Sequence, residues 1–167
     1  MRRRQSDTTF EAVTEHLLLR WAGQPDTVEQ HRSLAEANGF VWWGRWASSN
    51  RDREPLLAVL REQIDSGEIT YVYLRNDRSE WRATLSDART ASSRPPREEY
   101  PAYYPDGQVV DMWLRLNDFE PLELGWMERN LAFAGGRRRR SRASRRRVAL
   151  AGPVRATSTV RLSLHGY

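Results

Sequence analysis

Phe40-Val41-Trp42-Trp43-Gly44-Arg45-Trp46 gathers three of the chain's seven tryptophans into one stretch, directly after an Asn38-Gly39 pair that reads as a helix stop. Read as a strand, Phe40, Trp42 and Trp46 alternate with Val41, Trp43 and Arg45, so aromatic rings point to both faces. Gly44 is the one gap, and a glycine inside a strand marks a bulge or a close approach by a ligand or another backbone. Rings with an apolar body and a polar N–H suit a packed core, and they equally suit a cage around a flat base. Rings on both faces cannot all fill the single interior of a small barrel. At least one of Trp42, Trp43 and Trp46 is therefore expected at a cleft or an interface.

The segments on either side set the fold class. Leu17-Leu18-Leu19-Arg20-Trp21 reads as a first strand, and Gly23-Gln24-Pro25-Asp26-Thr27 as a turn with an N-cap signal. A helix is expected over residues 27–37, with Val28, Leu34 and Ala35 apolar. After the tryptophan strand, Pro55 suits a first helical turn, and Leu56, Leu57, Leu60 and Ile64 form a helical face. Residues 69–75 and 80–85 read as strands joined by the hairpin Asn76-Asp77-Arg78-Ser79. A long loop rich in Pro, Ser and Tyr covers residues 91–106, and a further strand covers 109–116. The order β-α-β-α-β-β-loop-β predicts an α+β domain. Its sheet is expected to be small and mostly antiparallel, or an open β-barrel, with two or three helices. A doubly wound sheet, which needs more regular alternation, ranks second.

Composition divides the chain. All 27 basic residues are arginine, and ten of them lie in residues 137–167, a segment without an acid. Residues 1–136 hold seventeen arginines against all 22 acids, so the body is mildly acidic and the basic balance belongs to the tail. Residues 1–12 are expected to be a flexible N-terminus, 13–134 the domain, and 135–167 an Arg-rich disordered tail. Within that tail residues 154–164 have the composition of a short strand, with no partner legible. The chain has no cysteine, hence no disulfide or thiolate chemistry. No apolar run approaches the roughly 20 residues that span a bilayer. The first seven residues lack the apolar core of a signal peptide. A cytoplasmic protein without a membrane partner is the expectation.

The tryptophan stretch, the hairpin Tyr71-Val72-Tyr73-Leu74 to Trp81-Arg82-Ala83, and Trp113-Leu114-Arg115-Leu116-Asn117-Asp118-Phe119 together resemble the PUA-like superfamily, which includes the ASCH, EVE and YTH domains. The likeness covers residues 13–124. Ile64-Asp65-Ser66-Gly67-Glu68 stands where EVE-type domains carry a Met-Lys-Xaa-Gly-Asp-like turn, so the resemblance is to the wider superfamily. It implies a PUA-like barrel that binds RNA or reads a modified base in an aromatic pocket, often as a sensor module of bacterial restriction and defence proteins.

The candidate ligand contacts are Trp21, Trp42, Trp43, Arg45, Trp46, Asp111 and Trp113. Stacking a base on one such ring contributes roughly 1–3 kcal/mol. Arg45 suits a phosphate or a ring face and is equally at home as a solvated strand charge, while Asp111 beside Met112-Trp113 suits a hydrogen bond from a base, although such acids are more often solvated. Arg137, Arg138, Arg139, Arg140, Arg142, Arg145, Arg146 and Arg147 could neutralise phosphates along a nucleic-acid backbone, unless the tail is an aberrant terminus. His16, His31 and His165 are scattered, no glycine-rich phosphate loop is present, and no cofactor or metal site suggests itself. The reading is a non-catalytic nucleic-acid-binding module, with docking of a protein partner through exposed tryptophans as the alternative.

Overall fold

The computed structural model describes residues 14–21, 26–46, 53–104, 106 and 110–131, together with the backbone of two short strands at 133–134 and 161–165. Its elements are β1 (Glu15–Arg20), α1 (Thr27–Asn38), β2 (Val41–Trp46), α2 (Glu54–Asp65), β3 (Thr70–Arg75), β4 (Glu80–Thr90), β5 (Val110–Leu122), α3 (Trp126–Asn130), β6 (Phe133–Ala134) and β7 (Arg161–His165). Five strands form an open sheet in the order β2-β5-β4-β3-β1, in which only the β1–β3 pairing is parallel. The fold is thus α+β with a mostly antiparallel sheet. β7 and β6 extend it beyond β1 in parallel register.

Local chemistry accounts for the boundaries. α1 ends where Gly39 takes φ +81°, a left-handed conformation that costs glycine nothing. Pro55 lies in the first turn of α2, where its missing N–H has no intrahelical role. The β3–β4 turn is held by Asn76, whose Oδ1 accepts from the backbone N–H of Arg78 and of Ser79. β4 and β5 run further than the sequence suggests, to Thr90 and Leu122, because they pair with each other along most of their length. Register shifts in β4 at 82–84 and 85–87 let that long pair bend.

One face of the sheet carries the main core. Leu17 and Leu19 of β1, Val41 and Trp43 of β2, Val72 and Leu74 of β3, and Leu114 and Leu116 of β5 meet Val28 and Ala35 of α1 and Leu57 and Leu60 of α2. The opposite face carries two smaller clusters. Met127 of α3 and Leu131, which follows the helix, cover Leu18 and Tyr73. The segment 91–104 folds back over β2 and β5 and adds Tyr100 and Tyr104 to Trp42, Val110 and Trp113.

β1, with Leu17 opposite Ser163 of β7, supplies the partner that the sequence leaves open for residues 154–164. The rest of the arginine-rich segment lies outside the described residues. Among the described residues, no helix is long and apolar enough to cross a membrane.

Candidate functional site

The tryptophan strand separates two environments. Trp43 points into the main core, stacked on His31 of α1 with ring centroids 4.1 Å apart, and Trp21 meets it edge-on at 6.3 Å. Trp42, Gly44 and Trp46 point the other way. There Trp42 and Trp113, each 1 % exposed, are sealed by Tyr100 and Tyr104, with Phe40, Trp46 and Tyr103 half-buried around them. The second set of rings is accommodated because the long loop builds a second small core. We call residues 94–104 the strap.

Gly44 is where the strap is fastened. The Tyr104 hydroxyl accepts from the Gly44 N–H and can donate to the Gly44 carbonyl, both at 3.1 Å. β2 is an edge of the sheet, so at Gly44 a side-chain hydroxyl takes the two backbone groups that a further strand would otherwise pair. A Cβ at this position would lie 2.9 Å from a Trp113 ring carbon and 3.0 Å from a Tyr104 ring carbon. The gap at Gly44 in the sequence therefore answers to a close approach. A second tie runs from Trp42 Nε1, which donates to Glu99 at 2.9 Å.

His31 sits under this latch. It is fully buried, its Nδ1 lies 2.8 Å from the Thr27 carbonyl, and its Nε2 lies 3.4 Å from the Tyr104 hydroxyl. A carbonyl only accepts, so Nδ1 carries the proton and Nε2 offers a lone pair. Burial lowers its pKa to about 3, which keeps the ring neutral.

A model of the family described as Pua-like matches residues 17–134. The chain belongs to the Pua-like family. Domains of this family generally bind RNA. No curated protein and no solved structure shows a significant match to the chain.

On this Pua-like sheet, guanidiniums line the covered face. Arg115 lies 3.6 Å over the Phe40 ring and Arg89 lies 4.4 Å over Trp42. On the strap, Arg97 and Arg94 lie 4.9 and 5.4 Å from the Tyr100 ring centre. Flat cations over flat rings are the mix of surfaces that base and phosphate contacts use. The patch also holds acids: Asp87 pairs with Arg89, and Asp106 lies 3.7 Å from Arg94.

Arg45 and Asp111 do not join the aromatic cluster. Trp46 pairs with Val110 while Arg45 pairs with Met112, which leaves Asp111 as the bulged residue. A bulge re-aims a side chain. Asp111 ion-pairs with Arg45 and with Arg53, which precedes α2, the latter at 3.0 Å. The three side chains are about nine-tenths buried, and Asp111 Oδ1 has no hydrogen-bond partner among the described residues.

Of the sequence candidates, the structure brings Trp42, Trp46 and Trp113 together under the strap and places Trp21 and Trp43 in the main core. All seven tryptophans are buried or half-buried. Tyr100, Tyr103, Tyr104 and His31 do not stand out in the sequence as site residues. The signal for the tyrosines is a loop whose composition, Glu99-Tyr100-Pro101-Ala102-Tyr103-Tyr104, is too aromatic to stay in solvent. Among the described residues, no group of three or more His, Asp and Glu side chains could hold a metal ion.

Proposed function

We propose that this chain is a non-catalytic nucleic-acid-binding module that reads a base, modified or flipped out of its stack, on the aromatic face beneath the strap. The observation that supports the reading is the coincidence, in a Pua-like domain, of the Trp42–Trp46–Trp113 cluster with guanidiniums laid over Trp42 and the neighbouring Phe40. A base that leaves its stack costs a few kcal/mol, which aromatic replacement contacts offset. Arg89 and Arg115 would follow the phosphates, and Trp46, the half-buried ring, would be the first met by a base. Trp21 and Trp43 would serve this site by holding β2 in place. A cytoplasmic setting and a sensor role in bacterial defence belong to the same proposal.

Arg137, Arg138, Arg139, Arg140, Arg142, Arg145, Arg146 and Arg147 would add affinity that is blind to sequence and steeply dependent on salt. The test separates the two contributions. Replacing those eight arginines by serine spares β7, which truncation would remove from β1. The variant should lose most of its salt-sensitive binding to oligonucleotides yet keep tryptophan quenching by them. Arg89→Ala with Arg115→Ala should reduce the salt slope by about 2, one for each phosphate no longer neutralised. Unchanged affinity and slope in that double variant would refute this assignment of the face.

A further inference from the structure

Tyr104 occupies a slot that has the character of a ligand site. Its ring is near-parallel to Tyr103 at 4.5 Å and 25°, and to Trp46 at 6.1 Å and 22°. Stacking of this kind suits any flat ring. The ring is 2 % exposed, so what holds it is the wall of a closed cavity that the ring itself fills.

The polar edge is more specific than the stacking. At one end of the slot stand one donor, the Gly44 N–H, and two acceptors, the Gly44 carbonyl and the lone pair on His31 Nε2. The Tyr104 hydroxyl has a single hydrogen, so it can serve only one of the two acceptors at a time. The slot is thus better provided with hydrogen-bonding groups than its occupant can satisfy.

An exocyclic amine beside a ring nitrogen matches this edge more fully. Its two N–H bonds meet both acceptors, and the ring nitrogen accepts from Gly44. Adenine and cytosine present that pattern; uracil offers only one N–H beside its carbonyl. Resting on the nucleic-acid reading above, we propose that Tyr104 is a built-in stand-in for a nucleobase. An adenine or cytosine displaces its ring, stacks on Trp46 and takes over the hydrogen bonds of Gly44 and His31.

The strap is built to permit the exchange. Glu99 and Tyr104 tie it to the sheet by hydrogen bonds, whereas Arg97 bonds carbonyls of the strap itself. One flank, at Pro101 and Ala102, borders an open cavity of about 400 Å³ shared with Ser33 and Leu34 of α1. While the ring sits in the slot, apparent affinity for a base falls by the fraction of molecules in which the slot is open.

The test measures binding of hexameric oligo(A), oligo(C) and oligo(U), each as RNA and as DNA, to the full chain and to Tyr104→Phe and Tyr104→Ala. Tyr104→Ala empties the slot and should bind oligo(A) and oligo(C) on the order of tenfold more tightly than the parent, with oligo(U) changed by less than about threefold. Tyr104→Phe keeps the ring and its packing but loses the latch, and should show a smaller gain in the same base order. Adding Gly44→Ala, whose Cβ intrudes on the slot, should remove the gain. If the parent binds and neither Tyr104 variant binds more tightly, or the gain is equal for all three bases, the stand-in is overturned while the nucleic-acid reading stands. If no protein binds any oligonucleotide, that reading fails and takes this inference with it.

Discussion

The two faces of β2 use tryptophan in opposite ways. On the inner face Trp43 belongs to the main core, to which five strands and two helices contribute side chains, with a neutral histidine stacked on it. On the outer face Trp42 and Trp46 meet tyrosines, arginines and a strap fastened by side-chain hydrogen bonds to Gly44 and Trp42. The inner rings are fixed by bulk burial contributed by the whole sheet. The outer rings are covered by one segment that local openings can release. A difference in what covers a ring, rather than in how exposed it is, separates fold from candidate function here.

The largest expected effect is on the inner face. Trp43→Ala should lower stability by about 3–5 kcal/mol, read by thermal or denaturant unfolding. Trp46→Ala should cost far less and leave a cooperative melt, while tryptophan quenching by oligonucleotides falls. Equal destabilisation by the two would erase the contrast.

Next comes the seam between the faces. Gly44→Ala forces a Cβ to within 3.0 Å of Trp113 and Tyr104 ring carbons, and should cost about 1–3 kcal/mol. Structural response should concentrate in the strap, seen as lost amide protection at residues 97–104 with α2 unaffected.

Acid should weaken the domain through its buried histidines. Burial lowers the pKa of His31 to about 3 and of His16 to about 4, against an ordinary value of 6.5. Below about pH 6.5 the unfolded chain binds protons that the folded chain refuses. Stability is therefore full above that pH and falls as pH drops toward 4, by up to about 1.4 kcal/mol per unit for each histidine. His31→Gln should remove one of the two contributions and flatten the slope. An unchanged slope in that variant would mean that His31 titrates normally in the folded state.

The smallest effect is at the strap's second tie. Glu99→Ala removes the acceptor for Trp42 Nε1 and should cost about 1 kcal/mol, with faster exchange in the strap than in the core.

Much of this contrast is legible in the sequence. Alternation alone places Trp42 and Trp43 on opposite faces, and the gap at Gly44 marks a bulge or a close approach by a ligand or backbone, where the structure has the side chains of Trp113 and Tyr104. The helix stop at Asn38-Gly39 and the start at Pro55 lie where the structure has them. The cover of the outer face cannot be read. Tyr104 is sixty residues from Gly44, and no local pattern tells which strand a loop will fold over. His31 looks scattered along the chain, yet with Thr27, Val28 and Ala35 it completes the buried face of α1 at helical spacing. Arg45 and Asp111 have the sequence character of solvated or ligand-facing charges, and a bulge that periodicity cannot show turns them toward each other. The lengths of β4 and β5 depend on mutual pairing, which a segment does not carry in itself.

The central claim is that nucleic acid engages the strap-covered face of β2. Amide hydrogen exchange of the full chain, with and without a hexameric oligonucleotide, tests it most directly. The Gly44 N–H is a reporter at the site, because its partner is the Tyr104 hydroxyl rather than a neighbouring strand. The account predicts that ligand changes protection at Gly44 and along residues 94–104, and leaves Leu57 and Leu60 of α2 unchanged. Protection changes confined to residues 137–147, with Gly44 and the strap unmoved, would contradict it.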